Sequence, residues 1–319
     1  MATAPAVTPA AASPPRRRRA GVLREMGRYK LGYLFLAPAL LVLLFVDFVP
    51  MAQGLWTSLH AYSLFRPATR PFIGLDNYTE LAADPLFWRA LGQTAYYTFA
   101  SVALQFLLGL AAATLLNQSV RFRAFFRGVV LIPWVVPGAL AGMMFALLFT
   151  SNGLVNTALS HLGLAGRIIP ENFPWLSNDV TAMPVVIFTS AWKGFPFFAV
   201  MFLAAMQAVS TDLYEVARMD GASRLQSFWH VTLPGIQATM LIASLLGLIW
   251  TFNSIDLIYV MTYGGPFYST TTLVMLSYQQ AFSTGQVGYA TAIALVILIL
   301  MGLLSSAYLV LYRRITQAL

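Results

Sequence analysis

Three charged residues lie inside apolar segments of the sequence: Asp47, Lys193 and Asp256. A charge near the centre of a bilayer costs on the order of 2.5 to 3.5 kcal/mol on insertion scales, so each of them needs an explanation. Asp47 is close to the end of its segment, where water is near, and we interpret it as an interfacial residue. For Lys193 and Asp256 two interpretations stay open, a structural ion pair or two groups that face a water-filled cavity.

The neighbours of these two charges have the chemistry that sugar recognition uses. Amides and carboxylates bond hydroxyl groups in bidentate fashion, and aromatic faces cover apolar C–H surface. Asn253 and Asp256 are three positions apart, so a continuous helix would place them on one face. The candidate substrate-binding residues are Trp192, Lys193, Gly194, Phe197, Phe252, Asn253 and Asp256.

A polar stretch between two long apolar segments predicts a short surface helix followed by a bend. Asp212 is followed three residues later by Glu215, a capping-box-like pair at a helix start, and Gly221 then interrupts the helix. A second helical stretch is predicted from about Ser223, and Pro234 is tolerated at the first turn of the next segment. A lipid-binding surface helix is disfavoured, because anionic headgroups would repel the acidic residues of this stretch.

Other chemistry finds no support in the sequence. The only lysines, Lys30 and Lys193, do not close a phosphate-binding loop, so we expect no ATPase activity in this chain. The histidines, His60, His161 and His230, are too far apart in sequence for a metal-binding motif. With no cysteine and no recognisable nucleophile and base pair, we expect no catalytic residue, no metal and no cofactor.

The elements that must position these residues are transmembrane helices. The chain has 59% hydrophobic residues, 9% charged residues and a mean hydropathy of +0.72, whereas soluble domains carry about 25% charged residues. Spans are predicted at about 31–59, 91–116, 128–150, 181–206, 234–262 and 287–312. We therefore predict an all-α membrane protein with six transmembrane helices in one domain, residues 31–319.

The basic residues predict the orientation of these helices. Seven of the nineteen precede residue 31, which indicates a disordered basic cytoplasmic tail over residues 1–30 rather than a nucleic-acid surface. Fourteen basic residues fall on the side that holds both termini and four on the other side. The positive-inside rule therefore places both termini in the cytoplasm.

Two motifs carry a resemblance to a known family. The spacing from Glu215 through Gly221 to Pro234 resembles the EAA loop of permease subunits of ABC importers. The run from Asn253 to Pro266 is similar to the first permease subunit of carbohydrate importers, the MalF and UgpA type, and the resemblance extends from about residue 30 to 315. It implies a type I ABC importer permease fold with a coupling helix in the loop 207–234, between spans four and five. The positions implied in ATPase coupling are Glu215, Ala217, Asp220, Gly221, Leu233 and Pro234.

The same resemblance implies a function and a set of partners. It indicates a permease subunit, in a bacterial or archaeal cytoplasmic membrane, that moves a sugar or sugar derivative inward. The partners would be a second, MalG-like permease subunit, a cytoplasmic ATPase dimer and an extracytoplasmic solute-binding protein. The competing hypothesis is an ion-coupled secondary transporter that acts alone, with Lys193 and Asp256 as its relay. Such carriers often have internal repeats, and we find no convincing repeat in the sequence.

Overall fold

The computed structural model describes residues 30–118 and 121–317. Within these ranges the chain consists of helices and connecting loops, and its extended residues form isolated bridges rather than strands. The predicted all-α fold class is therefore confirmed. The tail predicted for residues 1–30 falls outside the described residues, except for Lys30 itself.

The helices are numbered in chain order. They are α1 (Lys30–Leu43), α2 (Val49–Ser58), α3 (Asp76–Ala83), α4 (Pro85–Asn117), α5 (Arg123–Val135), α6 (Gly138–Leu148), α7 (Leu154–His161), α8 (Ala182–Ala208), α9 (Thr211–Met219), α10 (Arg224–Ser227), α11 (Leu233–Phe252), α12 (Asp256–Met261), α13 (Leu273–Phe282) and α14 (Val287–Gln317). π-helical turns join α1 to α2 (Leu44–Phe48) and α10 to α11 (Phe228–Thr232).

Five stretches of the described chain are long and apolar enough to cross a membrane. They are Leu34–Ser58, Pro85–Asn117, Ala182–Ala208, Arg224–Phe252 and Val287–Arg314, and the shortest has 25 residues. About 20 helical residues suffice for a hydrocarbon core of roughly 30 Å. A sixth span is present if the bent pair α5 and α6 counts as one. The chain is thus an integral membrane protein.

The third predicted span, residues 128–150, is not a straight helix. α5 and α6 meet at an angle of 93°. Pro137 has no N–H to continue the helical ladder, and it disfavours the helical conformation of the residue before it. Val136 accordingly adopts an extended conformation, with φ −65° and ψ 127°. Hydropathy identified the apolar stretch but gave no sign of this bend.

The fifth predicted span, 234–262, is also interrupted. α11 ends at Phe252, and the chain resumes a helix only at Asp256. At the break, Asn253 Nδ2 donates to the Ile249 carbonyl at 2.9 Å, a side-chain bond that competes with the backbone ladder. The expectation that Asn253 and Asp256 share one helical face is therefore wrong.

The described residues divide into two units between Gln53 and Gly54. The first unit is one apolar helical stretch with its π-helical turn. In the second unit α4 and α8 approach closely at Gly109, where an added methyl group would lie 3.0 Å from the Ala199 nitrogen. A buried cluster that includes Phe198 and Ile236 fills the space between α4, α8 and α11. This packing fixes the helices that surround the candidate site.

Candidate functional site

A cavity of about 170 Å³ lies between α4, α8, α11 and α12, and we call it the central cavity. Its walls combine polar and aromatic side chains with glycines. The lining residues are Gln105, Trp134, Gly138, Ser190, Lys193, Gly194, Phe197, Phe198, Gly247, Trp250, Thr251, Ser254, Asp256 and Leu257. Four of the sequence-predicted residues, Lys193, Gly194, Phe197 and Asp256, are therefore brought together.

Lys193 and Asp256 line this cavity from different helices, Lys193 from α8 and Asp256 from the start of α12. Within residues 30–118 and 121–317, no ion pair within 4.0 Å involves either side chain. Of the two interpretations left open by the sequence, the geometry favours groups that face a cavity. The Asp256 carboxylate packs against Gly138, where an added methyl group would lie 2.7 Å from Oδ2.

Gln105 is a cavity residue that sequence reasoning missed. It is buried on α4, and its Nε2 donates to the Ser190 carbonyl oxygen at 3.2 Å and to Ser190 Oγ at 3.3 Å. Gly194 leaves room for this amide, because a methyl group there would lie 2.6 Å from Gln105 Nε2. A carboxamide in the middle of an apolar segment was the available signal, since such groups are kept in spans where they have a partner.

The aromatic part of the central cavity is built around Phe197. Its ring centre lies 4.9 Å from that of Trp250 and 6.3 Å from that of Trp134. Neither tryptophan was predicted, because a tryptophan in an apolar segment is usually an interfacial anchor. Together the rings add apolar surface to a cavity that also contains amide and charged groups.

Three predicted site residues lie elsewhere. Trp192 packs into an apolar cluster, with its ring 5.0 Å from that of Phe145. Phe252 is only 8% exposed and belongs to a second apolar cluster, around α13 and α14. Asn253 is exposed and lines a different cavity of about 750 Å³.

This second cavity is mainly apolar, and its polar residues include Asn253, Ser277 and Tyr278. A hydrogen bond with Tyr259 raises the pKa of the Tyr278 phenol above its ordinary value. Asn253 lines this second cavity, whereas Asp256 lines the central cavity, so the two residues contribute to different cavities.

The polar stretch after α8 folds as the sequence indicated, with one difference at its start. The cap of α9 is Ser210, whose hydroxyl accepts from the Asp212 backbone N–H at 3.3 Å. Asp212 lies in the first turn, so the predicted capping-box role of Asp212 with Glu215 is wrong. Ser supplies the better geometry here because it precedes the first helical residue. Glu215 is exposed on α9, and Ala217 is partly buried.

The bend after α9 depends on Gly221. Asp220 ends the helix, and Gly221 has φ +79°, in the left-handed region that favours glycine. α10 then begins with a capping box in which Ser223 and Gln226 bond each other's backbone N–H groups. The helical stretch predicted from about Ser223 is therefore confirmed.

α9 is tied to the following span by one side-chain hydrogen bond. The Tyr214 hydroxyl lies 3.0 Å from Thr232 Oγ1 in the π-helical turn before α11. Leu233 and Pro234 form the first residues of α11, directly after the π-helical turn. α11 then runs from this tie to the central cavity, which it lines with Trp250 and Thr251.

A membrane-embedded helical bundle with a polar cavity between its spans, and an exposed polar helix at one end, has the architecture of a transport subunit. Residues 105–317 match the family described as binding-protein-dependent transport system inner membrane component. The chain belongs to this family and is a permease subunit of an ABC importer. The resemblance to MalF-type subunits is confirmed.

Individual proteins show the same likeness over most of the chain. The chain is 36% identical over 281 residues to the trehalose/maltose transport system permease protein MalF of Thermococcus litoralis, covering 88% of this chain and 92% of that protein. It is 34% identical over 290 residues to the sulfoquinovosyl glycerol transport system permease protein SmoG of Agrobacterium fabrum, covering 91% and 92%.

A solved structure shows the same fold. It is the crystal structure of a bacterial alginate ABC transporter in complex with an alginate pentasaccharide-bound periplasmic protein. The matched chain has a TM-score of 0.76 at 23% identity, with 92% of this chain and 98% of that chain covered.

Proposed function

We propose that this chain is the MalF-like half of an ATP-driven importer that moves a sugar, an oligosaccharide or a sugar derivative into the cytoplasm. The observation that carries the proposal is the central cavity, whose lining combines Lys193, Asp256 and Gln105 with the rings of Phe197 and Trp250. Hydroxyl groups of a sugar would bond the polar side, and its C–H faces would lie on the rings. The carbohydrates in the names of the relatives agree with this chemistry.

The second part of the proposal concerns energy coupling. α9 has no buried residue, and Leu213, Val216 and Met219 are 53%, 50% and 80% exposed. An apolar strip of this size on a polar helix suits a helix that inserts into a groove of another protein. We assign α9 as the coupling helix and the ATPase dimer as its partner, with Glu215 beside the apolar strip.

The path from α9 to the central cavity runs through α11. The Tyr214–Thr232 bond and the Gly221 bend fix α9 to the start of α11. With a rise of 1.5 Å per residue, the 20 residues of α11 form a helix roughly 30 Å long, which connects this end to the central cavity. ATP-driven closure of the ATPase dimer would move α9, and α11 would move the cavity wall with it. Two discrete arrangements of the bundle are needed for this alternation.

The arrangement in the membrane completes the proposal. α5 and α6 together serve as one span, which gives six, and both termini and α9 face the cytoplasm, where the basic residues are concentrated. A MalG-like second permease and an extracytoplasmic binding protein supply the remaining parts.

Uptake by the reconstituted complex tests this function. The chain is coexpressed with its partner permease, ATPase and binding protein, and labelled sugar uptake is measured in proteoliposomes with and without internal ATP. Uptake that requires ATP and weakens on substitution of Lys193 or Asp256 supports the proposal. Accumulation by this chain alone, driven by an ion gradient, would establish the secondary transporter instead.

A further inference from the structure

Two arginines at the start of α5 converge on one uncharged partner. With its amide oxygen turned toward α5, Gln207 at the end of α8 accepts from Arg123 Nη2 at 2.7 Å and from Arg127 Nη2 at 2.8 Å. The arginines are one helical turn apart on the same face. Two positive charges are thus held side by side by a group that neutralises neither.

The described part of the chain offers these arginines no counter-charge. No Asp or Glu oxygen of residues 30–118 and 121–317 lies within 4.0 Å of either guanidinium group. The Nε atoms of both arginines are buried and have no hydrogen-bond partner there. Like charges one turn apart at a helix N-terminus repel each other and oppose the helix dipole. An anion placed between them would offset both costs.

Arg127, one of the two arginines, borders an apolar groove. Arg127 and Gln207 lie at the polar end of a cavity of about 270 Å³, between α4, α5 and α8. The other walls are apolar and include Leu116, Val130 and Leu203. A ligand that fills both regions therefore has an anionic head and an apolar tail.

The surroundings place this site at a membrane interface. Phe122 and Phe125, beside the arginines, are 77% and 67% exposed, as expected of apolar rings at the boundary between headgroups and acyl chains. Leu116 and Gln207 lie at the ends of two spans that point toward the α9 side of the molecule. A lipid in the leaflet on that side reaches the arginines with its headgroup.

We propose that Arg123, Arg127 and the adjoining groove bind one anionic phospholipid. The phosphodiester accepts hydrogen bonds from the two guanidinium groups, which recognise phosphate oxygens through their planar fork of donors. In a zwitterionic lipid the choline cation would lie near the same two arginines and offset this attraction, so the site favours a headgroup with a net negative charge. One acyl chain lies along Leu116, Val130 and Leu203. A protein carboxylate would satisfy the charges but not fill the groove, and free phosphate has no apolar part.

Native mass spectrometry of the detergent-purified importer, full chain with its copurified subunits, tests this site. Phosphatidylglycerol and phosphatidylcholine with identical acyl chains are added separately, with and without inorganic phosphate. We expect phosphatidylglycerol to bind about thirtyfold more tightly than phosphatidylcholine, the effect of two arginines near a lipid headgroup. The Arg123→Gln/Arg127→Gln double variant should lose this preference, and Arg121→Gln, a neighbouring exposed arginine, should keep it.

Several results would overturn the proposal. Equal retention of the two lipids by the unmodified importer overturns the proposal. This comparison needs no variant, so the test stands even if the double variant fails to assemble. Undiminished phosphatidylglycerol retention by an assembled double variant also overturns it. Displacement of the lipid by inorganic phosphate would indicate a free-phosphate site. If the double variant loses a protein subunit but retains the lipid as before, the partner of the two arginines is a carboxylate of that subunit and not a lipid.

Discussion

The side-chain amide of Gln105 lies against the backbone of Gly194 at the point where α4 meets α8. A methyl group at position 194 would lie 2.6 Å from Gln105 Nε2, closer than real contacts of this kind. The amide itself donates to Ser190 Oγ at 3.3 Å. One wall of the central cavity therefore depends on the absence of a side chain at position 194.

Gly194→Ala should displace the Gln105 amide and break its hydrogen bonds to Ser190. The clash falls on the end of a flexible side chain, so we expect assembly to survive and the KM of uptake to rise roughly three- to tenfold, the effect of about one lost hydrogen bond. The measurement is uptake against substrate concentration in proteoliposomes. Gly92→Ala on the same helix as Gln105 is the control, because no atom lies within 4 Å of an added methyl group there. An unchanged KM in the Gly194 variant would mean that Gln105 does not shape the site.

Lys193→Met and Asp256→Asn should each impair uptake, and combining them should not restore it. Within the described ranges the two side chains face one cavity without an ion pair, so neither substitution removes the ion-pair partner of the other residue. We expect the double variant to be at least as impaired as the weaker of the two single variants, although residues of a shared cavity need not have additive effects. A double-mutant cycle on uptake at limiting substrate measures this. Recovery of activity in the double variant would instead identify a structural ion pair.

Gly221→Ala should destabilise the bend between α9 and α10 by about 1–2 kcal/mol, because the φ of +79° at this position is unfavourable for a residue with a Cβ. No atom lies within 4 Å of an added methyl group, so the effect comes from the backbone alone. Gly221→Asn is the matched variant, since asparagine tolerates the left-handed conformation better. We expect a smaller loss of copurified ATPase with Asn than with Ala. Equal losses would indicate that contact at this position matters rather than backbone conformation.

Tyr214→Phe should weaken the link between α9 and α11 while leaving the outer surface of α9 intact. The lost bond to Thr232 Oγ1, 3.0 Å long, contributes about 1 kcal/mol. We expect copurification of the ATPase to persist and the number of sugars transported per ATP to fall. Parallel measurement of ATP hydrolysis and uptake detects this. Tyr96→Phe, at an exposed position of α4, is the control. Unchanged coupling in the Tyr214 variant would exclude this bond from the path.

The sequence predicted well those features that depend on local pattern. Apolar length located the spans, and Gly221 and the polar residues around it located α9, the bend and α10, although the capping residue of α9 is Ser210 rather than Asp212. Lys193 and Asp256 were singled out because charge inside an apolar segment is costly, and both line the central cavity, while their role in substrate binding stays a prediction.

The features that were missed depend on tertiary geometry. Average hydropathy over a span-length window does not reveal the 93° bend after Val135 or the break after Phe252, since both stretches are apolar enough overall to be assigned as single spans. The sequence analysis assumed a continuous helix, and it therefore predicted that Asn253 lies beside Asp256. It also predicted Phe252 as a site residue, whereas Phe252 lies in the core. Trp134 and Trp250 join Phe197 only through the packing of three separate helices.

The most direct test of the account is solute accumulation by this chain with and without its ATPase. Proteoliposomes are prepared with the complete importer, with the importer carrying Glu215→Trp, and with the chain alone under an ion gradient. The account predicts ATP-dependent accumulation only by the complete importer, a large loss on Glu215→Trp, and none by the chain alone. Accumulation by the chain alone, with no loss on Glu215→Trp, would contradict the account.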